Sequence, residues 1–165
     1  MNDLKYVPIR NSDFIIIKEI YDYYILNSTA TFHTKPISIN ELKEYIFIDH
    51  SVYKSFLIYY KSEIAGFCYF THFKKRPAYD RTSEVTLYLK PSYHGKGIGT
   101  ATLDFLEKEA DKSVIKNFIA VITETNSYSI KLFEKSGYIK CAHYKKVGEK
   151  FGQILDVVAY QKFIE

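Results

Sequence analysis

The chain has 165 residues, 25% of them charged and 47% hydrophobic, with a formal net charge of +4. That length suits one well-packed domain over residues 1–165, and the composition is that of a globular protein rather than a disordered or fibrous one. The charge is too small and too scattered for a nucleic-acid-binding stripe, and no apolar run approaches the roughly 20 residues that span a bilayer.

In chain order, "YVPIR" (6–10) reads as a short strand confined to a sheet edge by Pro8. Asn11, Ser12 and Asp13 are capping residues for a helix whose inward stripe would be Ile16, Ile20 and Tyr23 or Tyr24. "ISINELKEYIFIDH" carries a second capping signal, Ser38 or Asn40 before Glu41, then Leu42, Tyr45 and Ile46 on one face. "SFLIYYKSE" and "EIAGFCYFTHF" read as a hairpin turning at "KSE". "TSEVTLYL" (82–89) alternates, with Val85, Leu87 and Leu89 on one face and Glu84, Thr86 and Tyr88 on the other. Leu103, Leu106 and Ala110 mark a helix, and "FIAVIT" (118–123) a strand in mid-sheet. "SYSIKLFEKSG" reads as a helix ended by Gly137, and "YIKCAHYKK" and "QILDVVAYQKF" as two closing strands. The pattern predicts an α/β fold, one twisted mixed sheet with helices on both faces.

Between the 82–89 strand and the following helix lies "HGKGIGT", with Gly95, Gly97 and Gly99 alternating around Lys96 and Ile98 and ending at Thr100. One reading is a mobile turn. The other is an anion cradle, because backbone N–H groups at a helix N-terminus face outward and glycine lets a ligand reach them. The spacing is neither G-x-G-x-x-G nor that of a P-loop, which excludes a dinucleotide fingerprint and a Walker cradle.

"HGKGIGTATL" resembles the acetyl-coenzyme A pyrophosphate loop of the GNAT (GCN5-related N-acetyltransferase) superfamily, Q/R-x-x-G-x-G/A, with His94 at the Q/R position. "LNSTATFHTKP" (26–36), "RPAYDRTSEVTLYL" (76–89) and "EKFGQILDVVAYQK" (149–162) resemble segments of its phosphinothricin and methionine sulfone acetyltransferase branch. The resemblance implies a GNAT fold of about seven mostly antiparallel strands. It also implies acetyl-coenzyme A as co-substrate, with no metal, and acetylation of the free amine of a small amino-acid-like molecule. The alternatives are a peptide N-terminus or a polyamine as acceptor, or a non-catalytic acyl-coenzyme A sensor. A homodimer in the cytoplasm, without nucleic-acid or membrane partners, completes the expectation.

Residue by residue, the resemblance makes Glu84 the general base for the amine proton. It gives the main chain of Leu87, Tyr88 and Leu89 to the pantetheine arm and the loop of Gly95, Lys96, Gly97, Ile98, Gly99 and Thr100 to the pyrophosphate. Asn126 is either a coenzyme A contact or a helix cap, and the two are compatible. Phe32, Lys75, Arg76 and Thr82 are the candidate acceptor-binding residues, and Lys74, Arg81 and His33 lie nearby in sequence. Where relatives carry Tyr or His to protonate the leaving thiolate, this chain has Phe133, which leaves the general acid open. Cys68 and Cys141 lack metal-ligand spacing, and transfer through either would need an adjacent base. Sixteen tyrosines and no tryptophan fit AT-rich coding as well as any function.

Overall fold

The computed structural model describes residues 3–164. Seven strands form one sheet in the order β1-β2-β3-β4-β5-β7-β6. They are β1 (Leu4–Pro8), β2 (Lys54–Tyr60), β3 (Glu63–His72), β4 (Thr82–Leu89), β5 (Asn117–Thr123), β6 (Ile139–Lys150) and β7 (Gln153–Phe163). Every neighbouring pair is antiparallel except β4 with β5. The helices are α1 (Phe14–Asn27), α2 (Ile39–Leu42), α3 (Ile98–Glu109) and α4 (Ser127–Lys135). α1 and α2 cover one face with Phe14, Ile17, Ile20, Leu42 and Ile46, over Leu57 and Phe67. α3 and α4 cover the other with Leu103, Leu106 and Phe133, over Val85, Phe118 and Val158. This is the α/β arrangement expected from the element order.

Three local readings shift. β1 begins and ends two residues earlier than expected, because Leu4 and Lys5 pair with Tyr60 and Tyr59. The buried face of α1 starts at Phe14 and Ile17 rather than Ile16, and Tyr23 points outward. α2 is a single turn, although its capping box forms as expected: Ser38 Oγ accepts from Glu41 N at 3.2 Å and Glu41 Oε2 from Ser38 N at 2.7 Å. The β-branched and aromatic run after Lys43 gives little helical support, so the chain continues in looser turns that still bury Leu42 and Ile46.

Both hairpins turn on two residues of positive φ, Lys61 and Ser62 after β2 and Phe151 and Gly152 after β6. Paired left-handed residues fit the twist of the flanking strands. β3 approaches β4 at Gly66, where a Cβ would lie 2.1 Å from the Tyr88 carbonyl oxygen. That contact draws the far end of β4 toward β3. β4 pairs with β5 only across Thr82–Glu84 and Asn117–Ile119. Beyond Glu84 each strand follows its own antiparallel partner, β3 for β4 and β7 for β5, and the sheet opens between them.

Candidate active site

A cavity of about 1060 Å³ fills that opening and reaches both faces of the sheet. Glu84 lies at its inner end, where the two strands part. The alternation of β4 turns the Glu84 side chain toward the α1/α2 face, with Tyr88, while Val85 and Leu89 enter the α3/α4 core. Burial raises the Glu84 carboxyl above its ordinary range, and the charge of Lys74 opposes part of that rise. Among the described residues the Glu84 side chain makes no hydrogen bond or ion pair. A carboxylate held in this way gains basicity at the expense of solvation.

The main chain of β4 alternates too. Lys90 N donates to Ala65 O of β3 at 2.8 Å and Phe73 N to Thr82 O at 3.4 Å, so even-numbered residues bond toward β3. Lys116 N donates to Arg81 O at 2.8 Å, so odd-numbered residues face β5. Leu87 therefore turns its N–H and C=O into the opening. Tyr88, expected to act through its main chain, bonds toward β3 and lends the cavity its ring instead. The Leu89 carbonyl is already engaged: the Tyr24 hydroxyl donates to it, and His94 Nε2 lies 3.2 Å away. His94, at the variable first position of the loop motif, thus braces the end of β4 and sits 2.9 Å from the Tyr24 hydroxyl.

The glycine loop delivers the N-terminus of α3 to the same cavity, lined by Gly95, Gly97, Ile98, Gly99 and Thr100. Gly97 caps the helix at φ 76°, a left-handed conformation that glycine adopts without steric cost. Ala101 N is the first to find an intrahelical acceptor, Gly97 O at 3.2 Å, and the N–H groups before it project from the helix end. Gly99 serves packing instead, since a Cβ there would lie 2.9 Å from a methyl of Leu132 in α4. Asn126 both lines the cavity and caps α4, its Oδ1 accepting from Ser129 N at 3.2 Å.

Four expected residues stand elsewhere. Lys96 points away, with Nζ 5.1 Å from the Tyr93 ring centroid and 5.7 Å from that of Tyr60. Lys75 and Arg76 are exposed at a 3-10 turn over Pro77–Tyr79 and line no part of the cavity. Thr82 spends its hydroxyl as an acceptor for Asn117 Nδ2 at 3.4 Å, within the strand pairing. Phe32 does line the cavity, on a segment fastened by several elements. Thr123 Oγ1 donates to Thr29 O at 2.5 Å, and the buried Lys150 Nζ to Thr31 O at 2.7 Å. Phe32 itself covers Gly148 of β6, where a Cβ would meet its ring at 2.2 Å.

On the α4 side Phe133 is buried edge-on to Tyr138, with centroids 5.0 Å apart, and offers no proton. The Tyr128 hydroxyl belongs to a side chain 89% exposed at the rim. Neither cysteine lines the cavity. Cys68 is fully buried, its thiol pushed well up by desolvation, and exposed Cys141 donates to Ala159 O at 3.4 Å.

Sequence reasoning named Tyr88 for its main chain but missed the tyrosine rings as a lining. Seven of the sixteen line the cavity, so their abundance is partly a property of the site and not only of coding. It also missed Lys131 and Lys135, one helical turn apart on α4. That spacing was the available signal.

The acetyltransferase (GNAT) domain profile matches residues 7–159. A phosphinothricin N-acetyltransferase of Alcaligenes faecalis is 28% identical over 159 residues, covering 93% of this chain and 79% of that protein. An L-methionine sulfoximine/L-methionine sulfone acetyltransferase of Salmonella typhimurium is 27% identical, covering 91% and 88%. Among solved structures, a GNAT superfamily phosphinothricin acetyltransferase from Sinorhizobium meliloti in complex with acetyl-coenzyme A superposes with a TM-score of 0.86 at 27% identity, covering 98% and 88%.

Proposed function

The chain belongs to the GNAT acetyltransferase family, whose co-substrate is acetyl-coenzyme A, and from that premise we propose that it acetylates the free amine of a small amino-acid-like acceptor in one ternary complex, with Glu84 as general base. The observation that carries this reading is Glu84 itself. It is a carboxylate of raised basicity, without an ion-pair partner among the described residues, at the inner end of a cavity that also receives a helix N-terminus.

The residues present fit the co-substrate. Leu87 turns its N–H and C=O into the opening at the parted strand, the α3 N-terminus offers outward amides to a pyrophosphate, and Lys131 and Lys135 add positive charge. Bound there, acetyl-coenzyme A supplies an acyl thioester. The amine must be neutral to attack, so the chain's part is to accept its proton at the Glu84 carboxylate, directly or through water. Phe133 itself has no proton to donate, and the thiolate need not wait for one. A thiol with a pKa of about 8.5 can leave as thiolate unaided. Direct transfer is supported by the position of both cysteines outside the cavity.

A homodimer remains part of the proposal. β6 is an edge strand that exposes Ile139, Tyr144 and Val147, with Ile154 exposed on its partner β7. Apolar groups on a long open edge favour pairing with a second copy, which sedimentation equilibrium reads directly.

The function itself is tested by thiol release from acetyl-coenzyme A across a panel of amines that includes methionine sulfone, methionine sulfoximine and phosphinothricin. Acetylation of at least one α-amino acid is expected, and release confined to a peptide N-terminus or a polyamine would replace the proposed acceptor.

A further inference from the structure

We infer that the acceptor end of this cavity selects an amine whose tail is an uncharged aromatic ring and disfavours tails that carry negative charge. The inference rests on the reading that the Glu84 side of the parted sheet receives the acceptor.

On the α1/α2 face the lining is rich in rings: Tyr21, Tyr24, Tyr45, Tyr69 and Tyr88, with Phe32 at the rim. Tyr88 stands 5.2 Å from Tyr21 and 5.0 Å from Tyr24 between centroids, and Phe67 joins Tyr88 at 5.5 Å to Tyr69 at 6.4 Å. Several of the hydroxyls are already committed. Tyr21 Oη lies 2.6 Å from Thr31 Oγ1 and 2.7 Å from His33 Nδ1, while Tyr24 bonds the Leu89 carbonyl. Tyr21 and Tyr24 therefore offer a ligand ring surface rather than free donors. Phe32 and Tyr45, on separate segments, remain 38% and 42% exposed where a ligand ring can cover them. Aromatic pairs gain from edge-to-face or offset contact beyond the area they bury.

Charge points the same way. The acidic side chain in the lining is Glu84, and the lysines of the cavity, Lys131 and Lys135, belong to α4 across the sheet. No Lys or Arg lines the acceptor face among the described residues, since Lys75 and Arg76 stand outside. His33 is tied to this wall, its Nδ1 2.7 Å from the Tyr21 hydroxyl. An anionic tail would thus be desolvated beside the Glu84 carboxylate, with Lys74 acting on it only from outside the lining, which is costly at close range.

The test holds the α-amine and α-carboxylate constant and varies only the tail. L-Phenylalanine, L-tyrosine, L-glutamate and phosphinothricin are compared by kcat/KM, and by calorimetric titration into protein saturated with unreactive coenzyme A. We expect phenylalanine and tyrosine to exceed the two acidic amino acids by on the order of 10- to 100-fold in both readouts. Tyr45→Arg exchanges a ring for a cation and should narrow or reverse that order without changing coenzyme A affinity. If phenylalanine binds preferentially but nothing is acetylated, the acetyl-transfer reading fails and the tail assignment stands. Equal or tighter binding of glutamate or phosphinothricin overturns the assignment, as does the absence of binding by all four while coenzyme A still binds.

Discussion

Glu84 shows what a single position owes to sequence and what it owes to assembly. Strand alternation alone put its side chain on the face opposite Val85 and Leu89. Only the folded sheet shows that β4 and β5 part beside it and that burial raises its carboxyl. The sign of that shift gives two linked expectations. A carboxyl whose folded pKa lies above its unfolded value favours folding while protonated and costs stability once ionised. Base catalysis has the opposite need and grows as pH rises through the same pKa. Glu84→Gln keeps the shape and removes the charge. Turnover near neutral pH should fall by roughly 10²–10⁴-fold, part of it recovered at higher pH as the amine loses its proton in solution. The melting temperature at neutral pH should hold or rise, because a desolvated charge is gone. Were Glu84 merely half of a surface ion pair, the variant would lose about 0–1 kcal/mol of stability and turn over normally. A folded variant with parental turnover removes Glu84 from the mechanism. Lys75 and Arg76 carry the converse lesson. Nearness in sequence to β4 made them candidates, but the turn at Pro77–Tyr79 leads them to solvent, and no local pattern announces the direction of a loop.

The α3 entrance is the element whose role was most legible, because glycines between a strand and a helix have few physical uses. The structure separates those uses. Gly97 supplies a left-handed cap beside the open helix end, Gly99 lets α3 approach α4 at Leu132, and Lys96 leans on Tyr93 and Tyr60 away from the cavity. The loop backbone, not the lysine, faces the cavity. Gly97→Val must place a β-branched residue at φ 76°, and whichever way the loop relaxes, the amides lose their aim. Lys96→Ala removes only a peripheral cation, screened by solvent. Calorimetric titration with acetyl-coenzyme A should therefore show at least a tenfold larger rise in Kd for Gly97→Val than for Lys96→Ala, roughly 1.4 kcal/mol or more. The reverse order would assign the holding to side-chain charge. α2 was less legible than α3: its cap was written in Ser38 and Glu41, but the helix stops after one turn because the residues that follow pack individually into the α1 face.

At the scale of the whole molecule, the order of strands and helices followed from periodicity, because each element buries one side and its spacing records which. The opening in the sheet did not. It arises from a competition between partners: β3 holds β4 to Leu89 and β7 holds β5 to Thr123, while the parallel contact between them ends at Glu84 and Ile119. Such a competition is set by contacts far apart in sequence, among them the missing Cβ of Gly66. It follows that a pantetheine arm lying along β4 would complete the sheet and couple its two halves. Binding to the native state alone contributes about 2.7 kcal/mol at a hundredfold excess over Kd. For a chain of this size that corresponds to a rise in melting temperature of roughly 5–10 °C. Amide hydrogen exchange should locate the effect. Thr86 and Tyr88, which bond toward β3, should exchange slowly with or without acetyl-coenzyme A. Leu87, whose N–H faces the opening, should exchange quickly in the free protein and become protected when the cofactor binds. Coenzyme A should protect it equally, because the acetyl group takes no part in that bond. Inorganic pyrophosphate should protect only the amides at the α3 N-terminus. If Leu87 is unaffected while the α3 amides become protected, the cofactor is anchored by its phosphates and its arm does not run along β4.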